Sequence, residues 1–121
     1  MLLEDYNAFC GSLAHTPHVV QWGDTHVWKI GGKVFAIASQ SANASLPVSF
    51  KCSPMSFEVL KSQNGLRPAP YLASRGMPWI QRTSGASMDD DALRAYLRES
   101  YRLASLNLTK TIQRQLHLNG F

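Results

Sequence analysis

The spacing of apolar residues changes from helical to strand-like early in the chain. Near the N-terminus, apolar residues recur every three or four positions, at Leu2, Tyr6, Phe9 and Leu13. This spacing predicts an amphipathic helix that ends between Gly11 and Pro17. Short runs rich in β-branched and aromatic residues follow, at 18–22, 26–30, 33–38 and 48–52. With a tight-turn signal at Gly31-Gly32 and a polar loop at 39–45, these runs predict an antiparallel meander.

Helical signals return in the second half of the chain. Ser53 and Pro54 are a typical N-cap and first helical residue, and Asn64-Gly65 is a typical helix end. Residues 66–78 contain three prolines and a glycine, and they predict an extended or looped connection. A further strand is predicted over 79–83.

A long third helix is predicted after this strand. Asp89, Asp90 and Asp91 follow Ser87, and a helix N-terminus stabilises such negative charge. The buried stripe of the helix is predicted at Leu93, Tyr96 or Leu97, Ser100 and Ala104. A last short helix is predicted around 109–118. Together the elements predict a single α/β domain of the α+β type over residues 1–121. It has an antiparallel sheet of about five strands, with an N-terminal helix, a middle helix and one or two C-terminal helices packed on it.

The composition is that of a globular domain, with 45% hydrophobic and 17% charged residues. It is too hydrophobic for a disordered chain and too often interrupted by polar residues for membrane spans. The first residues, Met1 to Asp5, are acidic where a secretory signal would be basic, so we expect a cytoplasmic protein. In that compartment Cys10 and Cys52, which lack a CxxC partner, are expected to be reduced and buried.

Positive charge is concentrated in the middle of the chain. The net charge is +4, but residues 29–88 contain seven basic residues and one acid, so this segment carries +6 and the flanks together carry −2. Such a distribution is typical of a localised anion-binding face. A solvated surface decorated with lysine and arginine is the alternative, and charge alone favours it because modest basicity is common and affects solubility first.

Motifs for catalysis are absent from the sequence. It contains no Gly-rich phosphate loop, no G-x-S-x-G and no H-E-x-x-H. The histidines, His15, His18, His26 and His117, do not have the spacing of a metal site. Helix capping accounts for the aspartates at 89–91. We therefore expect a protein that is not an enzyme and that binds neither a metal nor a cofactor.

Several segments resemble the MmcQ/YjbR family, in order and at similar spacing. They are Trp22-Gly23, residues 27–36 (VWKIGGKVFA), residues 50–54 (FKCSP), residues 67–72 (RPAPYL) with Trp79, and Ser100-Tyr101. The resemblance implies a compact α/β domain with helices packed on an antiparallel sheet, in agreement with the pattern above. It also implies a DNA-binding role, by which members of the family are commonly named. Many members carry a basic residue and a histidine before the late tryptophan, where this chain has Arg75 alone.

A DNA-binding role assigns the basic residues of the middle segment to phosphate contacts. Lys29 and Lys51 alternate with Trp28 and Phe50 on their strands, so the lysines are predicted to point outward. The candidate phosphate ligands are Lys29, Lys33, Lys51, Arg75 and Arg82, and the candidate stacking or groove residues are Tyr71 and Trp79. In the alternative interpretation the aromatic residues belong to the core and the lysines are solvated. Arg94, Arg98 and Arg102 form a stripe that is typical of a solvated helix face.

A protein-interaction or small-ligand module is the alternative function. It would use a groove between the sheet and the segment Pro68–Trp79. The expected partner is DNA and no membrane is expected, whereas a protein partner and the oligomeric state stay open. The two functions differ in what they expose. DNA binding predicts the five basic candidates on one exposed face, and the alternative predicts an exposed apolar patch around Tyr71, Met77 and Trp79.

Overall fold

The structure, a computed structural model, describes residues 1–21, 24–40 and 46–121. Four α-helices and one antiparallel sheet of six strands form in this part of the chain. The helices are α1 (Leu3–Ser12), α2 (Pro54–Leu60), α3 (Asp90–Leu106) and α4 (Lys110–Gln115). The strands are β1 (His18–Gln21), β2 (Thr25–Ile30), β3 (Lys33–Ser39), β4 (Val48–Lys51), β5 (Leu66–Pro68) and β6 (Trp79–Arg82). A short 3-10 helix, Ala73–Arg75, lies between β5 and β6.

The strands are arranged in the order β1-β2-β3-β4-β6-β5, and every pair of neighbours is antiparallel. The first four strands form the predicted meander, and β6 then lies between β4 and β5. One row of directly paired residues crosses five strands, at Val27, Ile37, Ser49, Gln81 and Arg67. Because paired residues point to the same side of a sheet, this row marks one of its two faces.

The opposite face carries the hydrophobic core. Helix α3 packs against β3 and β4 on this side, which we call the inner face. Its fully buried apolar side chains include Phe50 and Ile80 from the sheet and Leu93 and Leu97 from α3. Tyr6 of α1 joins the same cluster. The face marked by the row from Val27 to Arg67 is called the outer face.

The predicted mixed α/β architecture is confirmed, and most elements lie close to their predicted positions. Ser53 caps α2 as predicted, because its side chain accepts a hydrogen bond from the backbone N–H of Ser56. Helix α3 begins at the three aspartates, with Asp89 as its N-cap. Its predicted stripe is buried at Leu93, Leu97, Ser100 and Ala104, while Tyr96 is half-buried beside Phe50, with ring centroids 5.3 Å apart.

Two boundaries differ from the prediction. The sheet has six strands instead of about five, because the short strand β5 forms inside the segment that was predicted to be a loop. Pro68 is compatible with β5 because this strand lies at the edge of the sheet, where a missing N–H breaks no ladder. Helix α2 ends at Leu60, before the predicted stop at Asn64-Gly65.

Part of the first predicted strand and most of the predicted polar loop lie outside the described residues. The positions concerned are Trp22 and Gly23, which also belong to the family-like segments, and 41–45. In the described part of the chain, no helix combines the length and the apolar character that crossing a membrane would require.

The turn between β2 and β3 depends on its two glycines. Gly31 and Gly32 have φ values of +56° and +83°, a region that side chains with a Cβ rarely adopt. A Cβ at Gly31 would also meet the side chain of Leu108 at 2.7 Å. Glycine is therefore required in the predicted tight turn, both by the backbone conformation and by the close approach of Leu108, which follows α3.

Cys10 and Cys52 are buried, and each is a free thiol. Burial in apolar surroundings raises the pKa of Cys10 to about 12 and that of Cys52 to about 11. Both residues thus behave as the small buried hydrophobes that the sequence predicts.

Candidate functional site

A groove of about 830 Å³ lies on the outer face of the sheet. Residues of β1, β2, β3, β4 and β6 form its floor, and the connection between β5 and β6 forms one wall. Among the described residues, α3 packs on the opposite, inner face of β3 and β4, so the groove is a place where the sheet itself is accessible to a ligand. It corresponds to the groove that the sequence places beside the segment Pro68–Trp79.

Strand alternation determines which residues form the floor. Val27, Val34 and Ile37 provide an apolar centre. Polar side chains line the rest of the floor, at Gln21, Thr25, Ser39, Ser49 and Gln81. The pairing of β2 with β3 shifts between Trp28 and Lys29, where Phe35 is the extra residue of a β-bulge. The bulge lets both Phe35 and Ala36 point into the core while Val34 and Ile37 face the groove.

Tyr71 has a strained backbone in the wall of the groove. The N–H of Leu72 donates to the carbonyl oxygen of Pro70 at 2.8 Å, and Tyr71 between them has φ +69°. This geometry is a γ turn of the rarer, positive-φ kind. A left-handed conformation costs a residue with a Cβ roughly 1–2 kcal/mol. Tyr71 remains 82% exposed where it lines the groove, so the γ turn presents an aromatic residue to solvent.

Four cationic side chains lie on the outer face. Lys29 and Arg75 line the groove directly. Lys51 follows Ser49 by two residues on β4, and Arg67 pairs with Gln81, so both share this face. The Nε of Arg67 donates to Oε1 of Gln81 at 2.7 Å. None of the four forms an ion pair within the described residues.

The structure separates two of the predicted phosphate ligands from this group. Arg82 is buried on the inner face, where Nη1 donates to the Met88 carbonyl at 3.0 Å and Nη2 contacts Oδ1 of Asp90 at 2.9 Å. Lys33 is exposed, but it pairs with Ile30, a core residue, and so points to the inner side. The expectation of five basic candidates on one exposed face is therefore wrong for these two, because neighbouring strand residues alternate between faces.

Of the two aromatic candidates, only Tyr71 is accessible. Trp79 shares the outer face with Gln81 but is only 5% exposed. It does not belong to the hydrophobic cluster between the sheet and the helices. With Trp79 buried, the expected apolar patch is reduced to Tyr71 and the partly exposed Met77.

Arg67, Ser49 and Gln81 were not among the sequence candidates. Alternation with the apolar neighbours Leu66, Phe50 and Ile80 signals that each points away from the core. Their placement side by side depends on the insertion of β6 between β4 and β5, which local sequence does not indicate.

A second polar cluster lies on the inner side of the β1–β2 edge. Nε2 of His18 lies 2.9 Å from Nδ1 of His26, and the His18 ring stacks on Trp28 with centroids 4.5 Å apart. Nε1 of Trp28 donates to Oδ1 of Asn7 in α1 at 3.0 Å. Desolvation, followed by the proximity of His26, lowers the pKa of His18. The cluster thus joins α1 to the first hairpin.

The remaining sequence candidates have structural partners. Arg94 contacts Asp91 at 2.9 Å, Arg102 contacts Glu99, and Arg98 lies over the Phe9 ring at 5.3 Å. Throughout residues 1–21, 24–40 and 46–121, no three His, Cys, Asp or Glu side chains are arranged to hold a metal ion. The expectation that the protein needs no metal or cofactor stays a prediction.

Comparison with known proteins assigns the chain to a family. The family model described as YjbR matches residues 11–103, which is more than half of the chain. The chain belongs to the YjbR family. The match includes α1 in part, the whole sheet and most of α3, so the outer groove of this YjbR protein lies within the family's matched region.

Solved structures show the same fold. The crystal structure of a Deinococcus radiodurans protein with a DUF419 domain superposes with a TM-score of 0.84 at 24% identity, covering 97% of this chain and 88% of that one. The crystal structure of a Pseudomonas syringae protein gives a TM-score of 0.70 at 14% identity, covering 86% and 99%. Comparison with curated proteins gives no match. At these identities the structural likenesses establish the fold of the YjbR protein and not its ligand.

Proposed function

We propose that this YjbR protein is a non-enzymatic DNA-binding protein that holds the phosphates of its ligand on the outer face of the sheet. The observation that carries the proposal is the set of cations on that face, Lys29, Lys51, Arg67 and Arg75. Among the described residues that line the groove, none is a carboxylate. An accessible surface of one charge sign is what a polyanion requires.

The arrangement of the cations matches an extended anion better than a compact one. Lys29 lies on β2 and Arg67 on β5, four strand spacings away, which is about 19 Å at the usual distance between strands. That distance spans several successive phosphates of one DNA strand. Contacts of this kind position a protein on DNA without reading its sequence.

The chemistry of the groove supports a binding role over a catalytic one. Its described lining residues include Lys29, Arg75 and Tyr71 but no histidine, cysteine or carboxylate. Histidine is the most common general acid or base, and an adjacent base commonly activates serine and threonine nucleophiles. We therefore propose that the protein binds its ligand without transforming it.

Fluorescence anisotropy of labelled DNA tests the proposal. The protein is titrated into single-stranded and duplex oligonucleotides of about 20 nucleotides, at about 50 and about 200 mM salt. We expect binding that weakens steeply with salt, since each neutralised phosphate releases counterions. The double variant K29E/R75E should lose at least about tenfold in affinity, because two attractive contacts become repulsive.

A matched control keeps the net charge constant. Lys33 and Lys110 are exposed but lie away from the outer face, so K33E/K110E changes the total charge by the same amount. It should bind nearly as well as the wild type if the outer face is the site. Equal losses in the two double variants would attribute binding to net charge, and absence of binding at the lower salt would exclude the proposed function.

A small-ligand or protein-interaction role is the second candidate function. It is favoured by the apolar floor at Val27, Val34 and Ile37 and by the exposed Tyr71 in the wall. In that case a compact anion with an apolar body would occupy the groove, with Lys29 or Arg75 as its counter-charge. If DNA fails to bind, perturbation of the NMR signals of Val27 and Ile37 by small carboxylates or by a partner protein would support this role.

A further inference from the structure

The floor of the groove is unsuited to a duplex backbone. Val34 and Ile37 of β3 are half-buried in this floor, and the more deeply buried Val27 lies beside them on β2. A sugar-phosphate backbone gains nothing from contact with aliphatic side chains, and in a duplex the flat faces of the bases are stacked on one another. An unpaired base has two accessible apolar faces, which such a floor can cover.

Polar groups are present where the edge of a base would need them. Ser49 and Gln81 pair directly on adjacent strands and both line the groove, next to Ile37. Arg67 donates to Oε1 of the Gln81 amide, which orients the amide and leaves its N–H₂ group as a donor. Ser49 is only 5% exposed, so the half-buried Gln81 amide is the main group available to a base edge. An amide can bond several kinds of base edge, so it favours binding over sequence discrimination.

The wall of the groove provides an aromatic ring and a cation together. Tyr71 is 82% exposed, and Arg75 lines the groove four residues later. The γ turn at Pro70–Leu72 holds the tyrosine in place although its positive φ is unfavourable. Strained residues of this kind are concentrated at ligand-binding sites. A ring that faces solvent beside a cation is suited to stacking on a base whose phosphate the cation holds.

We infer that the groove accommodates unpaired bases, so that the preferred ligand of this face is single-stranded nucleic acid, with Tyr71 stacking on a base and Lys29 and Arg75 holding the flanking phosphates. This inference rests on the proposed function and deepens it. A volume of about 830 Å³ has room for about one or two nucleotides. The remaining cations, Lys51 on β4 and Arg67 on β5, contact the strand beyond the bound bases, on the β5 side of the sheet.

The test compares ligands that differ only in their bases. Anisotropy is measured with a single-stranded oligothymidylate, with an abasic strand of the same length and charge, and with a duplex. We expect the oligothymidylate to bind about tenfold more tightly than the abasic strand, a typical effect of stacking a base on an aromatic side chain. Y71A should remove most of this difference, and Y71F, which keeps the ring, should preserve it.

The outcomes separate this inference from the proposed function. The inference is overturned if the abasic strand binds as tightly as the oligothymidylate, or if the duplex binds best. Loss of affinity in K29E/R75E would in either case still identify the outer face as a phosphate site. If no strand binds, the proposed function fails as well. A Y71A variant that weakens binding to all three ligands equally also contradicts the stacking role.

An NMR titration gives a second readout that does not depend on tight binding. Thymidine 5′-monophosphate should shift the methyl signals of Val27 and Ile37, because the base lies on the floor, whereas inorganic phosphate should shift only signals near Lys29 and Arg75. Identical shifts from the two ligands would place the anion in the groove without a base and would overturn the inference.

Discussion

The hydroxyl group of Ser100 donates a hydrogen bond to the carbonyl oxygen of Phe35 at 2.6 Å and accepts one from the backbone N–H of Lys51 at 2.8 Å. The ladder between β3 and β4 ends one position earlier, at the pair Ala36 and Phe50. Ser100, which belongs to α3, therefore joins the two strands at the β-bulge. The bulge in turn directs Val34, which pairs with Lys29, to the outer groove.

Replacing Ser100 by alanine is expected to destabilise the fold. The change leaves two buried backbone groups without their partner, and each such group costs about 1–3 kcal/mol. Urea unfolding monitored by circular dichroism measures the loss. Ser105 is a buried serine of the same helix whose hydroxyl donates to the Arg102 carbonyl and accepts from Nδ2 of Asn119. Because Asn119 is exposed and its amide can bond to water instead, S105A is the matched control and should cost less. Equal losses of unfolding free energy in S100A and S105A would show that the hydrogen bonds joining β3 and β4 through Ser100 contribute no more to stability than those of Ser105.

The contact between Arg82 and Asp90 predicts a loss of stability in acid. Hydrogen bonding from the Arg82 guanidinium holds the pKa of Asp90 below its usual value. The folded state then binds fewer protons than the unfolded state. The stabilisation is fully present above about pH 4, the usual pKa of aspartate, and is lost as the pH falls through the lowered pKa of the folded state.

The variant D90N tests this contribution. It should be less stable than the wild type near neutral pH, and the difference should disappear as the pH is lowered below about 4. Asp91 makes an exposed pair with Arg94, and D91N should change the pH dependence little because such pairs contribute little. A difference between D90N and the wild type that is constant across the acid range would contradict the prediction.

The histidine cluster predicts a second decrease in stability, at milder pH. Desolvation is the main cause that lowers the pKa of His18, so the folded state resists protonation of this ring. The contribution of the neutral His18 ring to the free energy of unfolding is complete above about pH 6.5, the usual pKa of histidine. It decreases as the pH falls through the lowered pKa of the folded state.

Unfolding by guanidinium chloride between about pH 7.5 and about pH 5 measures this effect. The variant H18Q should flatten the pH dependence of the unfolding free energy in that range. His15 is exposed and has φ +59°, and H15N is a suitable control because asparagine tolerates this conformation. If H15N flattens the curve as much as H18Q does, the cluster at β1 and β2 is not the cause.

The two thiols are expected to be unreactive in the folded protein. Burial raises the pKa of Cys10 to about 12 and that of Cys52 to about 11, and the thiolate is the reactive form. A thiol reagent at about pH 8 should label neither residue in the native state and both in denaturant. Rapid labelling of one cysteine in the native protein would mean that its surroundings open readily.

Local sequence patterns were sufficient to predict most of the elements and much of the inner face. Local signals were sufficient where all the residues that determine a feature lie in one short segment. Examples are the helix cap formed by Ser53 and Pro54 and the glycine turn at Gly31-Gly32. The helical repeat of α3 likewise identified Leu93, Leu97, Ser100 and Ala104 as buried. Strand alternation also correctly separated Lys29 from Trp28 and Lys51 from Phe50.

The residues that meet at the groove are brought together by long-range strand pairing and helix packing. Alternation puts Gln81 and Arg82 on opposite faces, but helix packing decides which face is covered, and it buries Arg82 beside Asp90. The row from Ile37 through Ser49 and Gln81 to Arg67 exists because β6 pairs with both β4 and β5. Strand order is set by contacts between residues far apart in the chain, so no local pattern contains it.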